Sequence, residues 1–291
     1  MTPSISIVSV TYNSRNDVAR VVDSLLNTNA QDRYEVVFVD NASADGTPGY
    51  LRATLPAATV VERTNDGLSA GINAGVRASH GDYVLLLNPD VRFDSDVAAP
   101  LAAYLQSHDD VGIVAPKMLN DDGTLQLSCR AFPSHATALF NRYSLLTRIL
   151  PRNRFSRRYL MSDFDHTVER DVDWVSGAAM MFSRAAFERV GGWDAGFFLF
   201  SEDVDFCKRM HDAGLRVVYY PDVHIEHQIG ISKSRRPRII IERHRSAWRY
   251  YRKHKRTNVV VDAITYGGLT ARCLFLLADS MVRSLVARVR S

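Results

Sequence analysis

The first third of the chain alternates two hydrophobic rhythms. Continuous apolar runs fall at residues 4–10 (SISIVSV), 35–40 (EVVFVD), 59–63 (TVVER) and 83–87 (YVLLL). Their length and β-branched content predict strands. Between the first two, Val18, Val21, Val22 and Leu25 keep the spacing of an amphipathic helix. Residues 68–79 (LSAGINAGVRAS) read as a helix of small residues. Strands that are apolar throughout and alternate with helices predict a mostly parallel sheet covered on both faces. Ligands of such sheets bind beyond the carboxyl ends of the strands. The polar residues that close the strands are therefore the ones to inspect: Thr11, Tyr12 and Asn13, then Asp40 and Asn41, then Asn88 and Asp90.

The pattern then loosens. Residues 130–170 carry many arginines and several aromatics with little regular spacing, and predict a long, partly mobile excursion. Regular patterning resumes at residues 172–183 (VDWVSGAAMMFS), followed by a short helix that Gly191 and Gly192 end. Residues 216–221 (RVVYYP) predict a further strand. In residues 233–256 eleven Lys or Arg residues stand against one acid, Glu242, with Trp248, Tyr250 and Tyr251 among them. From Val259 onward the pattern is an amphipathic helix, with Arg272, Arg283, Arg288 and Arg290 set among Leu, Val and Phe. The expected organisation is an α/β domain over residues 1–232 and a basic helical extension over 233–291.

Composition narrows the class. The 291 residues are 46% hydrophobic and 23% charged, which excludes a disordered or fibrous chain. The three cysteines, Cys129, Cys207 and Cys273, form no CxxC pair, which argues for a reducing compartment and against a disulfide framework. The first apolar run begins almost at once and lacks a basic flank, so no signal peptide is expected. The longest C-terminal run, CLFLLA from Cys273, is too short to span a bilayer. A cytoplasmic protein is the expectation.

Several groups carry candidate chemistry, each beside a plainer reading. Asn88-Pro89-Asp90 closes an apolar strand; it is either a turn or a carboxylate placed for Mg²⁺ or Mn²⁺. Asp40 is either a helix cap or Asx-turn residue, or an acceptor for a nucleotide's base or ribose. The glycine-rich stretch Asn65, Asp66, Gly67 through Gly71, Asn73 and Gly75 lacks the dinucleotide fingerprint and equally suits close helix packing. SEDVDF packs Glu202, Asp203 and Asp205 behind the apolar run FFLF. That flank sets at least one acid against buried surface, where desolvation raises a carboxyl pKa and improves it as a base. His227, after the last strand, is either structural or a metal ligand.

Eight segments in this order carry a resemblance: VSVTYNS, VVFVDNASADGT, NDGLSAGINAG, YVLLLNPDV, DVGIVAPKMLNDDG, VDWVSGAAMMF, FFLFSEDVDFCKRM and HQIGIS. Together they resemble the inverting glycosyltransferases of family 2, and above all their bacterial rhamnosyltransferase-type members. The resemblance implies the GT-A fold, a Rossmann-like mostly parallel sheet with flanking helices. It implies that Thr11, Tyr12, Asn13 and Asp40 line the nucleotide pocket, and that Asn65, Gly67 and Asn73 lie beside the nucleoside and its phosphates. Asn88-Pro89-Asp90 takes the place of the family's DXD motif. An asparagine stands where its first acid would be, so metal binding falls to Asp90, with His227 as a second ligand. Asp203 matches the catalytic base with Glu202 beside it, and Trp174, Ser176 and Gly177 match the acceptor and sugar subsite.

The implied activity is transfer of a sugar, dTDP-L-rhamnose being the favoured donor, to a glycan or lipid-diphosphate-linked acceptor with a divalent metal. Residues 124–134 and 157–166 are what favour the rhamnosyl donor over a UDP-hexose. The basic extension suits peripheral contact with the inner face of a membrane, a solvated helix or a homo-oligomer contact. No nucleic-acid fold signature accompanies it, so nucleic acid is not an expected partner. Two other classes compete: a sugar-nucleotide nucleotidyltransferase and a non-catalytic nucleotide-sugar or membrane-binding module. The first needs a glycine-rich triphosphate loop that VSVTYNSRND lacks; intact Glu202, Asp203 and Asp90 argue against the second.

Overall fold

The computed structural model describes residues 4–134, 154–228 and 237–290. Much of the expected excursion, 135–153, lies outside the described residues, as does 229–236, where HQIGIS ends and the basic region begins.

The predicted strands form as β1 (Ile5–Thr11), β2 (Glu35–Asp40), β3 (Thr59–Glu62) and β4 (Tyr83–Leu87). β1 pairs in parallel with both β2 and β4, and β2 with β3. Every residue of β1 is buried, as a strand covered on both faces must be. On one face lie α1 (Ala19–Asn27), the short α2 (Ala30–Arg33), α3 (Thr47–Thr54) and, beyond the two-residue β5 (Val91–Arg92), α5 (Ala98–Ser107). The opposite face is covered by α4 (Leu68–Ala78) and by elements from later in the chain.

The second half of the sheet differs from a simple parallel array. β6 (Val111–Leu119) joins through β11 (Ala179–Ser183), which runs antiparallel to both β4 and β6. β12 (Arg216–His227) is parallel to β6 and antiparallel to β5. The order is β3-β2-β1-β4-β11-β6-β12-β5, ten strands among the described residues once β7 (Leu125–Gln126) on β6 and β9 (Arg170–Asp171) on β12 are included. β8 (Cys129–Arg130) and β10 (Trp174–Val175) make a separate two-stranded sheet. The run at residues 172–183 is thus two strands in two sheets. The chain order reverses on either side of β1, and at that switch point the ends of β1, β2 and β4 open together.

The remaining helices are α6 (Arg154–Leu160), α7 (Arg184–Arg189), α8 (Glu202–Asp212), α9 (Pro237–His254) and α10 (Val259–Arg290). α9 packs into the core: Ile240, His244, Ser246, Tyr250 and Tyr251 are buried along it. α10 folds back on α9, where Tyr266 meets the Trp248 ring edge-on at 5.1 Å. Its segment Val259–Arg283 is long and apolar enough to cross a membrane by length and composition, which corrects the reading from contiguous runs. Arg272 and Asp279 interrupt the runs in sequence, but the helix gathers the apolar residues onto one side.

Candidate active site

The polar residues that close β1, β2, β4 and β12 converge on one edge of the sheet. Thr11 and Asp40 end paired strands and are themselves register partners. Thr11 Oγ1 donates to Asp40 Oδ1 at 2.8 Å. Ser43 donates its hydroxyl to the same oxygen at 2.6 Å and its amide to Oδ2 at 2.7 Å. Asp40 therefore does form the turn that its sequence allowed. A carboxylate has about four lone-pair sites, so one on Oδ2 remains for a ligand. Asn13, in the left-handed region at φ 48°, accepts the Ala44 amide at 2.9 Å, and Tyr12 beside it is 49% exposed. The two strand-end loops are thereby stitched together beneath an exposed aromatic ring.

The glycine-rich segment is mostly packing. A Cβ at Gly75 would sit 2.4 Å from Val8 Cγ1, and one at Gly71 2.7 Å from Val10 Cγ1, so α4 lies on β1 at backbone distance. Gly67, at φ 102°, abuts the Phe198 main chain, and Leu68 donates its amide to the Phe198 carbonyl at 2.7 Å. Asn65 Oδ1 accepts the Gly67 amide at 3.3 Å. Asn73 differs from expectation in that both ends of its amide are engaged by the Trp193 main chain, at 2.7 and 2.9 Å. It ties α4 to the segment that leads into α8.

Asp90 and His227 meet because β5 pairs antiparallel with β12, with Val91 opposite His227. His227 Nε2 lies 3.4 Å from Asp90 Oδ1, an oxygen that is buried and has no hydrogen-bond partner. On the other side of the ring, His227 Nδ1 is 2.8 Å from Gln126 Oε1. Gln126 Nε2 donates to the His227 carbonyl and to Asn120 Oδ1, both at 3.0 Å, which fixes which end of the amide faces the imidazole. Nδ1 must then carry a proton, so a neutral imidazole has its Nε2 lone pair free on the side of the orphaned Asp90 oxygen. An imidazole and a carboxylate so placed suit a divalent cation that takes its other ligands from phosphate and water. No group of three or more His, Cys, Asp or Glu is placed for a metal among the described residues, so this pair is the candidate.

The acids of α8 lie next to this edge. Asn88 donates its amide to the Ala178 carbonyl at 2.8 Å, and Gly177, one residue earlier, donates its amide to Asp203 Oδ2 at 3.2 Å. Asp203 Oδ1 accepts the Val204 amide at 2.8 Å. Glu202 is buried, and its Oε2 has no partner. Burial, and then the neighbouring Asp203 charge, push the Glu202 carboxyl well above the usual range. Burial also raises Asp203, opposed by the amides of Gly177 and Val204 and by the Arg130 charge. Burial thus works against both charges, while the amides of Gly177 and Val204 favour the ionised form of Asp203.

Trp174, Ser176 and Gly177 form the wall beside Asp203. Trp174 Nε1 donates to the Ala131 carbonyl at 2.9 Å, and Ser176 donates its amide to the Ser128 carbonyl at 2.8 Å, joining this strip to β8. Arg130 of β8 lies over the Trp174 ring at 5.2 Å, and its buried Nε lacks a partner. Arg130 and Gln126 were missed by sequence reasoning. Both lie in residues 124–134, the stretch that favoured the rhamnosyl donor, but only the arginine-rich composition of 130–170 pointed to Arg130 itself.

A sequence profile for glycosyl transferase family 2 matches residues 6–191, and one for the N-terminal domain of galactosyltransferase matches residues 161–233. An N-acetylglucosaminyl-diphospho-decaprenol L-rhamnosyltransferase from Mycobacterium tuberculosis is 30% identical over 250 residues, covering 81% of this chain and 80% of that protein. The dTDP-rhamnosyl transferase RfbF of Shigella flexneri is 23% identical over 255 residues, covering 87% of this chain and 78% of its own. Among solved structures, the mannosyltransferase PcManGT from Pyrobaculum calidifontis, in complex with GDP-Man and Mn²⁺, superposes with a TM-score of 0.57 at 19% identity, covering all of this chain and 76% of that one. At that identity the likeness shows the fold alone, and that fold is GT-A.

Proposed function

The chain belongs to glycosyl transferase family 2, and from that premise we propose that it transfers L-rhamnose from dTDP-L-rhamnose, with inversion, to a hydroxyl of a lipid-diphosphate-linked or polysaccharide acceptor at the inner face of the cell membrane. Glycosyl transfer as such follows from the family. The donor sugar and the lipid-linked acceptor are supported by the names of the mycobacterial and Shigella relatives.

The observation that supports the reading is the hydrogen bond from Asn88, two residues before Asp90, to Ala178, whose neighbour Gly177 donates to the Asp203 carboxylate. A sugar bound by its diphosphate at Asp90 and His227 presents its anomeric carbon towards Asp203. Asp203 takes the proton of the acceptor hydroxyl as that oxygen attacks, a contribution of typically ~10²–10⁴ in rate. The bond from the anomeric carbon to the phosphate oxygen breaks, and the nucleoside diphosphate leaves with the electron pair. One base opposite one leaving group gives inversion, with no covalent enzyme intermediate. Asp90 and His227 would hold a Mg²⁺ or Mn²⁺ ion, whose charge stabilises the diphosphate leaving group as a Lewis acid. Thr11, Asn13 and Asp40 hold the edge where the nucleoside binds, and Glu202, kept neutral, adds no second charge near the acceptor.

Calorimetry with a panel of nucleotide-sugars, with and without Mg²⁺ or Mn²⁺, tests the donor. Metal-dependent binding of dTDP-L-rhamnose in preference to UDP-hexoses supports the assignment. Tighter binding of a UDP-hexose replaces the donor and leaves the transferase class standing.

A further inference from the structure

α10 has its amphipathic character turned outward. Val260, Ile264, Leu274, Phe275, Met281 and Val282 are all exposed, Phe275 at 71%. No charged residue falls on the arc that they share, and the small residues between them, such as Gly267, Gly268 and Ala271, are exposed as well. The charges lie on the other side. Asp262 accepts from Tyr251 at 2.8 Å and pairs with Arg256 at 3.0 Å, while Arg272 and Asp279 are half-buried. A helix that keeps its charges off its exposed apolar side is made for a non-aqueous neighbour.

We propose that this outward face of α10 lies in the plane of an anionic lipid bilayer, with α9 standing between it and the catalytic domain. From Val260 to Val282 the face runs about 33 Å, long enough for a helix lying along the interface. Charge complementarity selects the partner. The adjoining region 233–256 holds eleven Lys or Arg residues against one acid, which attracts anionic headgroups and repels a second copy of the same surface. The placement of the charges selects the geometry. A spanning helix would leave α9, give up the Asp262 contacts and carry Arg272 and Asp279 into hydrocarbon, whereas a helix lying flat keeps them all. Two links join the anchored hairpin to the active site: Ser246 of α9 donates to the Leu199 carbonyl at 2.7 Å, and His254 reaches Asp205 of α8 at 2.7 Å. The inference rests on the surface of α10 and not on the reaction, so it stands or falls separately from the donor assignment.

The test is flotation of the full chain with vesicles, without donor or acceptor. Vesicles of phosphatidylglycerol and phosphatidylcholine should carry the protein, phosphatidylcholine alone should carry much less, and high salt should weaken the association. I264D/F275D, at two outward positions, should lower the bound fraction about tenfold with an unchanged melting temperature. Alkaline carbonate should release the bound protein. Failure of the wild type to bind anionic vesicles overturns the proposal, as does undiminished binding by the double variant. Retention after carbonate means that α10 spans. A lipid-free dimer that the double variant dissociates, with no vesicle binding, assigns the face to a second copy.

Discussion

His227 and Asp90 face one another across 3.4 Å, imidazole Nε2 to carboxylate Oδ1. The arrangement is held from behind by Gln126, whose amide fixes the imidazole tautomer. Such a pair is stable only with a proton or a cation between the two atoms. Asp90→Ala should therefore remove the metal dependence of nucleotide binding in calorimetry while leaving the fold intact. Unchanged metal dependence would return Asp90 to the role of a turn residue.

Gln126→Ala leaves both ligands in place but frees the ring. Loss of such a supporting hydrogen bond costs about 10–100-fold in metal affinity in other sites. A Mn²⁺ titration of nucleotide binding should show a loss of that order, with an unchanged melting temperature. Equal affinity in the variant would mean that the ring is held by other contacts.

Burial raises the Asp203 carboxyl above its ordinary value of 3.8. A base must be ionised to accept a proton, so kcat/KM should rise with pH through an apparent pKa above that value and then level. Glu202→Gln mimics the protonated acid and should preserve most of the rate. If Glu202→Gln abolishes transfer and Asp203→Asn does not, the two roles are reversed.

α9 is fastened to the catalytic domain by carboxylates with depressed pKa values. Burial works to raise Asp194, but Lys253, the Gly196 amide and Arg249 outweigh it and hold it at about 2. Burial likewise opposes ionisation of Asp205, and His254, Lys253 and Arg209 outweigh it and hold its carboxyl below the usual range. A carboxyl whose folded pKa is depressed contributes stability above its unfolded pKa and loses it as pH falls through the folded one. The Asp194 contribution is thus present above pH 3.8 and fades towards about 2. Asp194→Asn should cost about 1–3 kcal/mol at neutral pH and shrink with acidification. Denaturant melts at two pH values measure this, and a cost that does not change with pH would contradict it.

The strand ends were legible because a strand apolar throughout must finish where its next residue can meet solvent or a ligand. The rule that ligands bind beyond the carboxyl ends of such strands pointed to Thr11, Asp40 and Asp90, the first two themselves buried. The direction of β11 was not legible, since a buried strand reads the same parallel or antiparallel. Gln126 was invisible for another reason: its bond to His227 joins residues 101 apart, and only the β5–β12 and β6–β7 pairings bring them together. The two-sided pattern of α10 was legible from Val259 onward, but not that its apolar side turns outward, because the sequence does not say which side packs on α9.

The small residues of α4 had two readings, and the contact with β1 favours packing for Gly75. Gly75→Ala would place a methyl group 2.4 Å from Val8 Cγ1. Overpacking of this kind costs typically 1–3 kcal/mol. The melting temperature should fall accordingly, and a neutral or stabilising result would show that α4 can shift away from the sheet.

The central claim is that Asp203 is the base of an inverting transfer, and Asp203→Asn tests it most directly when donor binding and single-turnover transfer are measured together. The substitution keeps the shape of the side chain and an oxygen for the Gly177 amide. Donor affinity should stay within a few-fold of wild type, while transfer should fall by about 10²–10⁴. Transfer at the wild-type rate, or a loss accounted for by donor affinity alone, would contradict the account.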